Sequence, residues 1–92
     1  MIASFKHRGL KRLFDRGDAR KIAPEHHRKV ADILTALDAA RDIEDMDLAT
    51  FHLHQLTGDR VGQWSVTVRA NWRITFTFEN GKAGDVNYED YH

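Results

Sequence analysis

The amino-acid sequence predicts an α+β fold in which two N-terminal helices cover one face of a small antiparallel β-sheet. Apolar residues recur at helical spacing up to residue 40, and from residue 51 they alternate with polar residues. The dipeptide Asn80-Gly81, a strong hairpin signal, lies between two alternating segments. At 92 residues, the chain is expected to form a single domain over residues 1–92.

The first helix is predicted over residues 4–16. Ser4 is a capping residue type, and Gly17 is typical of the position just after a helix. The second helix is predicted to start near Pro24, which suits a first turn. Its buried face follows the i, i+3, i+4, i+7 pattern and comprises Val30, Ile33, Leu34, Leu37 and Ala40.

From Phe51 the period of two predicts strands with one apolar and one polar face, separated by the loop "TGDRVG" and by hairpin turns. The last strand is predicted to run through Val86 and Tyr88. The helices must cover the apolar face, because no other segment of the chain is able to do so. The open face is predicted to carry His52, His54, Thr67, Arg69, Arg73, Thr75 and Thr77.

Composition excludes several classes of protein. With 41% hydrophobic and 30% charged residues the chain resembles an ordinary soluble globular protein. The absence of cysteine excludes disulfides, thiolate zinc sites and cysteine nucleophiles. No apolar run approaches the ~20 residues of a membrane span, and charges occupy the N-terminal stretch where a signal peptide is apolar. We therefore expect a cytoplasmic protein without a membrane partner.

The net charge of zero hides a polarised chain. Residues 1–29 contain nine Lys or Arg and three acidic residues, and the remainder carries the compensating negative charge. Such a basic segment can bind nucleic acid, with Lys11, Arg12 and Arg16 as candidate phosphate contacts. The alternative is a solvated charged face on two helices.

The open face and the C-terminal segment carry groups suited to RNA chemistry. Arg69 and Arg73, on neighbouring strands, could bind phosphate, while His54 could transfer protons near neutral pH. Strict alternation places Tyr91 on the open side but Asp90 and the terminal His on the apolar side, so a bulge would be needed to gather all three. Each of these residues could also be an ordinary surface side chain.

No metal or cofactor is expected. His52 and His54 share one face of a predicted strand, and His26 and His27 are adjacent. Neither pair has a clear third ligand.

Two stretches, "GDRVGQWSVTVRANWRITFTFENG" and "VNYEDYH", closely resemble the HigB family of the RelE superfamily, and the resemblance extends over the whole chain. It implies a RelE-like fold and a messenger-RNA endonuclease that cuts codons in the ribosomal A site without a metal. It also implies a HigA-type helix-turn-helix antitoxin, which would be the only route by which the toxin reaches operator DNA. The family's active-site positions match His54, Arg73, Asp90, Tyr91 and His92, with Arg69 assigned to phosphate binding.

One position departs from the family pattern, and two other functions stay open. Relatives carry Lys before the Gly-Asp-Arg motif, whereas this chain has Thr57, which puts part of the RNA or ribosome binding in doubt. The first alternative is a ParE-like toxin that inhibits DNA gyrase. The second is a non-catalytic nucleic-acid-binding module that depends on the basic helices.

Overall fold

The computed structural model describes residues 1–91 and confirms the α+β class. Two helices precede four strands, which pair in the order β1-β2-β3-β4 as an antiparallel meander. The elements are α1 (Arg8–Arg16), α2 (His27–Ala39), β1 (His54–Gln55), β2 (Gln63–Arg69), β3 (Trp72–Glu79) and β4 (Lys82–Asp90).

Helix α1 begins four residues later than predicted. Ser4 does not cap it, because residues 2–5 lie parallel to β4 and the Ser4 hydroxyl accepts a hydrogen bond from the backbone N–H of Asp85 at 2.8 Å. His7 takes the capping role, with its Nδ1 accepting from the backbone N–H of Leu10 at 3.1 Å. Pairing with a distant strand therefore decides where the helix starts.

Helix α2 follows the prediction closely. A single 3₁₀ turn starts at Pro24 and leads into the helix. All five residues of the predicted apolar face are buried, and they form one hydrophobic cluster with the inward-facing residues of the sheet. That sheet side of the cluster includes Val66, Ile74, Phe76 and Val86. The apolar residues of α2 thus pack against the apolar face of the sheet. The helices cover that face and leave the opposite face open.

The sheet departs from simple alternation in the segment before β1 and at two register shifts, one of which lies in the β3–β4 ladder between Thr75 and Thr77. The strand predicted from Phe51 is reduced to the two residues of β1, because His52 has a positive φ of 50° that extended backbone does not adopt. In the β2–β3 ladder, Thr67 pairs with Arg73 but Arg69 pairs with Trp72, so a bulge lies between them. The predicted hairpin at Asn80-Gly81 is present, with both residues at positive φ.

In the part of the chain that the structure describes, no helix combines the length and the apolar character needed to cross a bilayer.

Candidate active site

A cleft of about 570 Å³ lies on the open face of the sheet, on the side away from the helices. It is bounded by β1 and its flanking residues, by the centre of β2 and by the ends of β3 and β4. The lining residues are His52, His54, Gln55, Leu56, Thr57, Ser65, Thr67, Arg73 and Tyr91. The cleft thus combines imidazole, guanidinium and phenol groups with small hydroxyl side chains.

Three of the predicted site residues meet in this cleft. His54 pairs with Ser65, which in turn lies opposite Thr75, so His54 is two strands away from β3, or roughly 10 Å. Arg73 projects from β3 on the same face. Tyr91 directly follows β4, and its backbone N–H donates to the carbonyl of Asn71 at 2.7 Å. That bond holds the chain against the β2–β3 turn and keeps the exposed phenol beside the cleft.

The Arg73 guanidinium is held by backbone rather than by a carboxylate. Its Nη1 donates to the carbonyl oxygens of Ala70 at 2.6 Å and of Trp72 at 3.3 Å. Among residues 1–91, none of the ion pairs involves Arg73. The side chain is therefore oriented but keeps its positive charge available to an anionic ligand.

Glu89 and Arg60 form a second polar group on the same face, which the sequence analysis did not single out. The two oxygens of Glu89 accept from Nη1 and Nη2 of Arg60 at 2.8 and 2.9 Å. Glu89 also accepts from the Thr75 hydroxyl at 2.7 Å and from the amide of Asn87 at 3.2 Å. These bonds, with that of Arg60 foremost, lower the pKa of Glu89 from 4.5 to about 2.

Arg60 links this ion pair to Tyr91. Its guanidinium carbon lies 5.6 Å from the centroid of the Tyr91 ring, in a cation–π arrangement. The bond to Glu89 raises the pKa of Arg60 above its ordinary value. The sequence contained one usable signal for this group, because alternation from the inward-facing Tyr88 places Glu89 on the open face.

An aromatic cluster on the opposite side anchors the end of β4. Tyr88 stacks on Trp72 with ring centroids 4.6 Å apart, and its hydroxyl is hydrogen-bonded to Nδ1 of the buried His26 at 2.6 Å. Burial raises the pKa of Tyr88, and it lowers the pKa of His7, whose ring contacts Tyr88 edge-on. The packing holds the strand end from which Tyr91 reaches the cleft.

Arg69 and Asp90, two of the predicted site residues, do not line the cleft. The bulge in β2 places Arg69 in register with Trp72, so the expected close Arg pair on the open face is not formed. Asp90 also pairs with Trp72 and therefore belongs to the helix-covered side, as strict alternation required. His92 lies outside the described residues.

The candidate phosphate contacts on α1 are separated from the cleft by the sheet. Lys11 pairs with Asp15 at 2.6 Å, and Arg12 lines a different pocket of about 440 Å³ on the helix side. Arg16 lies in the last turn of α1. Any RNA bound by α1 would thus be a different segment from the one in the cleft.

Residues 1–91 contain no group of three His, Asp or Glu side chains placed to hold a metal ion.

Comparisons with known proteins give a consistent result. A family model described as the RelE-like toxin of type II toxin-antitoxin system HigB matches residues 3–92. The protein named Endoribonuclease HigB from Proteus vulgaris is 51% identical over 92 residues, the full length of both chains. In the YoeB-YefM complex from Staphylococcus aureus, the matching chain has a TM-score of 0.60 at 14% identity, covering 97% of this chain and 95% of that chain. At that identity the structural match concerns the fold alone.

Proposed function

Because the chain belongs to the HigB family of RelE-like toxins, we propose that it is an endoribonuclease that cuts messenger RNA in the ribosomal A site. The observation that carries the proposal is the open-face cleft shared by His54, Arg73 and Tyr91. The Proteus vulgaris relative, which is 51% identical over the full length of both chains, is named an endoribonuclease, and this name supports the same reaction class.

The proposed chemistry is attack of a 2′-hydroxyl on the adjacent phosphate, which needs no metal. One group removes the hydroxyl proton while another protonates the leaving 5′ oxygen, and cations stabilise the charge that develops on the phosphoryl oxygens. His54 and His92 are the proton-transfer candidates, with the roles of base and acid unassigned. Arg73 stabilises the phosphate, and its backbone hydrogen bonds keep the guanidinium oriented before substrate arrives.

The remaining residues are given supporting roles. Tyr91 is exposed enough to stack on an unpaired base or to hold the sugar-phosphate. Asp90 supports a proton-transfer His electrostatically from the strand end, outside the cleft. Arg69 binds a phosphate that flanks the cleft, and Lys11, Arg12 and Arg16 bind RNA backbone on the helix side.

The shape of the cleft favours dependence on the ribosome. An open cleft with few functional groups is expected to bind a flexible RNA weakly and to position it poorly. Substrate positioning contributes a large share of catalysis. The ribosome would present the messenger already unpaired, so we expect negligible cleavage of free RNA.

The family is one of toxin–antitoxin systems, so an antitoxin is a partner of this chain. We propose a HigA-type antitoxin with a helix-turn-helix, through which alone the toxin reaches operator DNA. We also propose that the toxin acts in the cytoplasm, where it would meet translating ribosomes, and that it uses no cofactor.

A toeprint of a defined messenger on programmed ribosomes tests the proposal. Wild-type protein should cut within the A-site codon, whereas Arg73→Gln and His92→Ala should cut about 100-fold more slowly or not at all. Arg20→Gln is the matched control, because it removes an arginine from an exposed ion pair outside the cleft. Circular dichroism should show that all variants are folded.

The two alternative functions predict different results in cells that produce the protein. A ParE-like toxin would leave messenger intact and stop DNA supercoiling before protein synthesis. A non-catalytic module would tolerate His54→Ala and His92→Ala but lose its effect when Lys11, Arg12 and Arg16 are neutralised.

A further inference from the structure

Glu89 and Arg73 lie directly opposite each other in the β3–β4 ladder, and both belong to the open face. Side chains at directly opposite positions have Cβ atoms about 5 Å apart, which suits a cross-strand ion pair. Such a pair is absent from the part of the chain that the structure describes, because Glu89 binds Arg60 instead.

The bonds that hold Glu89 all draw it away from Arg73. Thr75 lies two residues further along β3, Asn87 lies two residues earlier along β4, and these two residues pair with each other. Both donate to the same oxygen of Glu89, at 2.7 and 3.2 Å. The carboxylate therefore leans toward the Thr75–Asn87 pair.

Arg60 is itself held in place. It ends the 3₁₀ turn Gly58–Arg60, and its Nε donates to the side-chain oxygen of Gln63, at the start of β2, at 3.0 Å. One third of its side chain is exposed. Its bidentate bond to Glu89 uses both outer nitrogens of the guanidinium, the strong geometry for an arginine–carboxylate pair.

We propose that Arg60 is a positioning residue which, by binding Glu89, keeps this carboxylate from pairing with Arg73 and so leaves Arg73 free for the phosphate of the RNA. The inference rests on the proposed function, since it gives Arg73 a phosphate to bind. A carboxylate on Arg73 would have to be displaced before phosphate could bind there, and its negative charge would repel the phosphate.

The first experiment needs no RNA and follows the Glu89 carboxyl by carbon NMR as pH is changed. In Arg60→Gln, the pKa of Glu89 should stay below 4.5, because Arg73 takes over as its partner. In Arg60→Gln/Arg73→Gln it should be higher than in Arg60→Gln, because only the bonds from Thr75 and Asn87 then remain. The inference is overturned if the pKa of Glu89 is the same in both variants, because Arg73 would then not have become its partner.

The second experiment measures single-turnover cleavage of messenger on programmed ribosomes. Arg60→Gln should cut roughly 10-fold more slowly, because Glu89 now occupies Arg73. Adding Glu89→Gln should restore the rate to that of Glu89→Gln alone. If the ion pair between Arg60 and Glu89 had only a structural role, no such rescue would be expected, because Arg60→Gln and Arg60→Gln/Glu89→Gln both lack the ion pair.

The same rescue separates this effect from the contact between Arg60 and Tyr91. Glu89→Gln cannot replace the guanidinium beside the Tyr91 ring, so a double variant that stays slow would overturn the inference. Arg20→Gln again serves as the charge-matched control and should cut at the wild-type rate.

Failure of the inference and failure of the proposed function give different results. If wild-type protein cuts and Arg60→Gln cuts equally fast, the inference is overturned and the proposed function stands. If wild-type protein does not cut ribosome-bound messenger, the proposed function fails and takes the catalytic part of the inference with it. The NMR titration then still decides whether Arg60 keeps Glu89 from Arg73.

Discussion

Replacing Glu89 with glutamine is expected to destabilise the protein at neutral pH and to matter little near pH 2. The native carboxylate accepts hydrogen bonds from Arg60, Thr75 and Asn87, and these lower its pKa from 4.5 to about 2. Because the folded-state pKa lies below the unfolded-state value, the stabilisation is fully present above pH 4.5. It is lost as the pH falls from there toward 2.

The size of the effect follows from the pKa shift and the exposure of the pair. A shift of about 2.5 units corresponds to roughly 3.4 kcal/mol. The side chains of Arg60 and Glu89 are 33% and 23% exposed, so solvent screening reduces the expected contribution to about 2 kcal/mol. In a domain of this size, that lowers Tm by about 10 °C.

Urea unfolding of wild type and Glu89→Gln, followed by circular dichroism at several pH values between about 2 and 7, measures the difference directly. Asp18→Asn is the control, because Asp18 also has a pKa of about 2, but the side chain of its partner Arg20 is 82% exposed, so solvent screens this ion pair more strongly. That variant should show a much smaller change at neutral pH. A Glu89→Gln difference that is constant over the whole pH range, or absent at pH 7, would refute the reasoning.

Three further predictions concern the cleft and the core. Thr57→Lys places a cation on the cleft wall and should speed cleavage of ribosome-bound messenger ~5-fold. An unchanged rate would contradict this. Tyr91→Phe keeps the aromatic ring and should cut nearly as fast as wild type. Tyr91→Ala should cut about 10- to 100-fold more slowly, because stacking on the base is lost. Equal cleavage rates for the two variants would argue against a stacking role. Phe76→Ala empties a site that is 1% exposed and should cost about 3–5 kcal/mol in urea unfolding, whereas the control Val61→Ala, at a side chain 74% exposed, should change little.

The family resemblance and the fold class were both correct predictions from sequence. The apolar face of α2 and the Asn80-Gly81 hairpin are local signals, since each depends on residues within a few positions of one another. The whole-chain resemblance to HigB is confirmed by the family model and by the Proteus vulgaris relative.

The candidate site was only partly predictable. Alternation correctly placed His54 and Arg73 on the open face, and it placed Tyr91 on the same side. It did not foresee the bulge that removes Arg69 from that face. A bulge depends on how two strands pair with each other, so the alternation pattern of a single strand does not predict it.

The sequence by itself determined which segments are helical, which alternate, and which side chains are available for chemistry, because these properties follow from short-range periodicity. Only the tertiary structure decided which charges meet. Glu89 pairs with Arg60, 29 positions away in the chain, although Arg73 lies directly opposite it in the ladder. The 3₁₀ turn brings Arg60 within reach of Glu89, and the hydrogen bonds from Thr75 and Asn87 orient the carboxylate toward Arg60. Which of the two arginines pairs with Glu89 therefore depends on distances that arise only when the chain is packed.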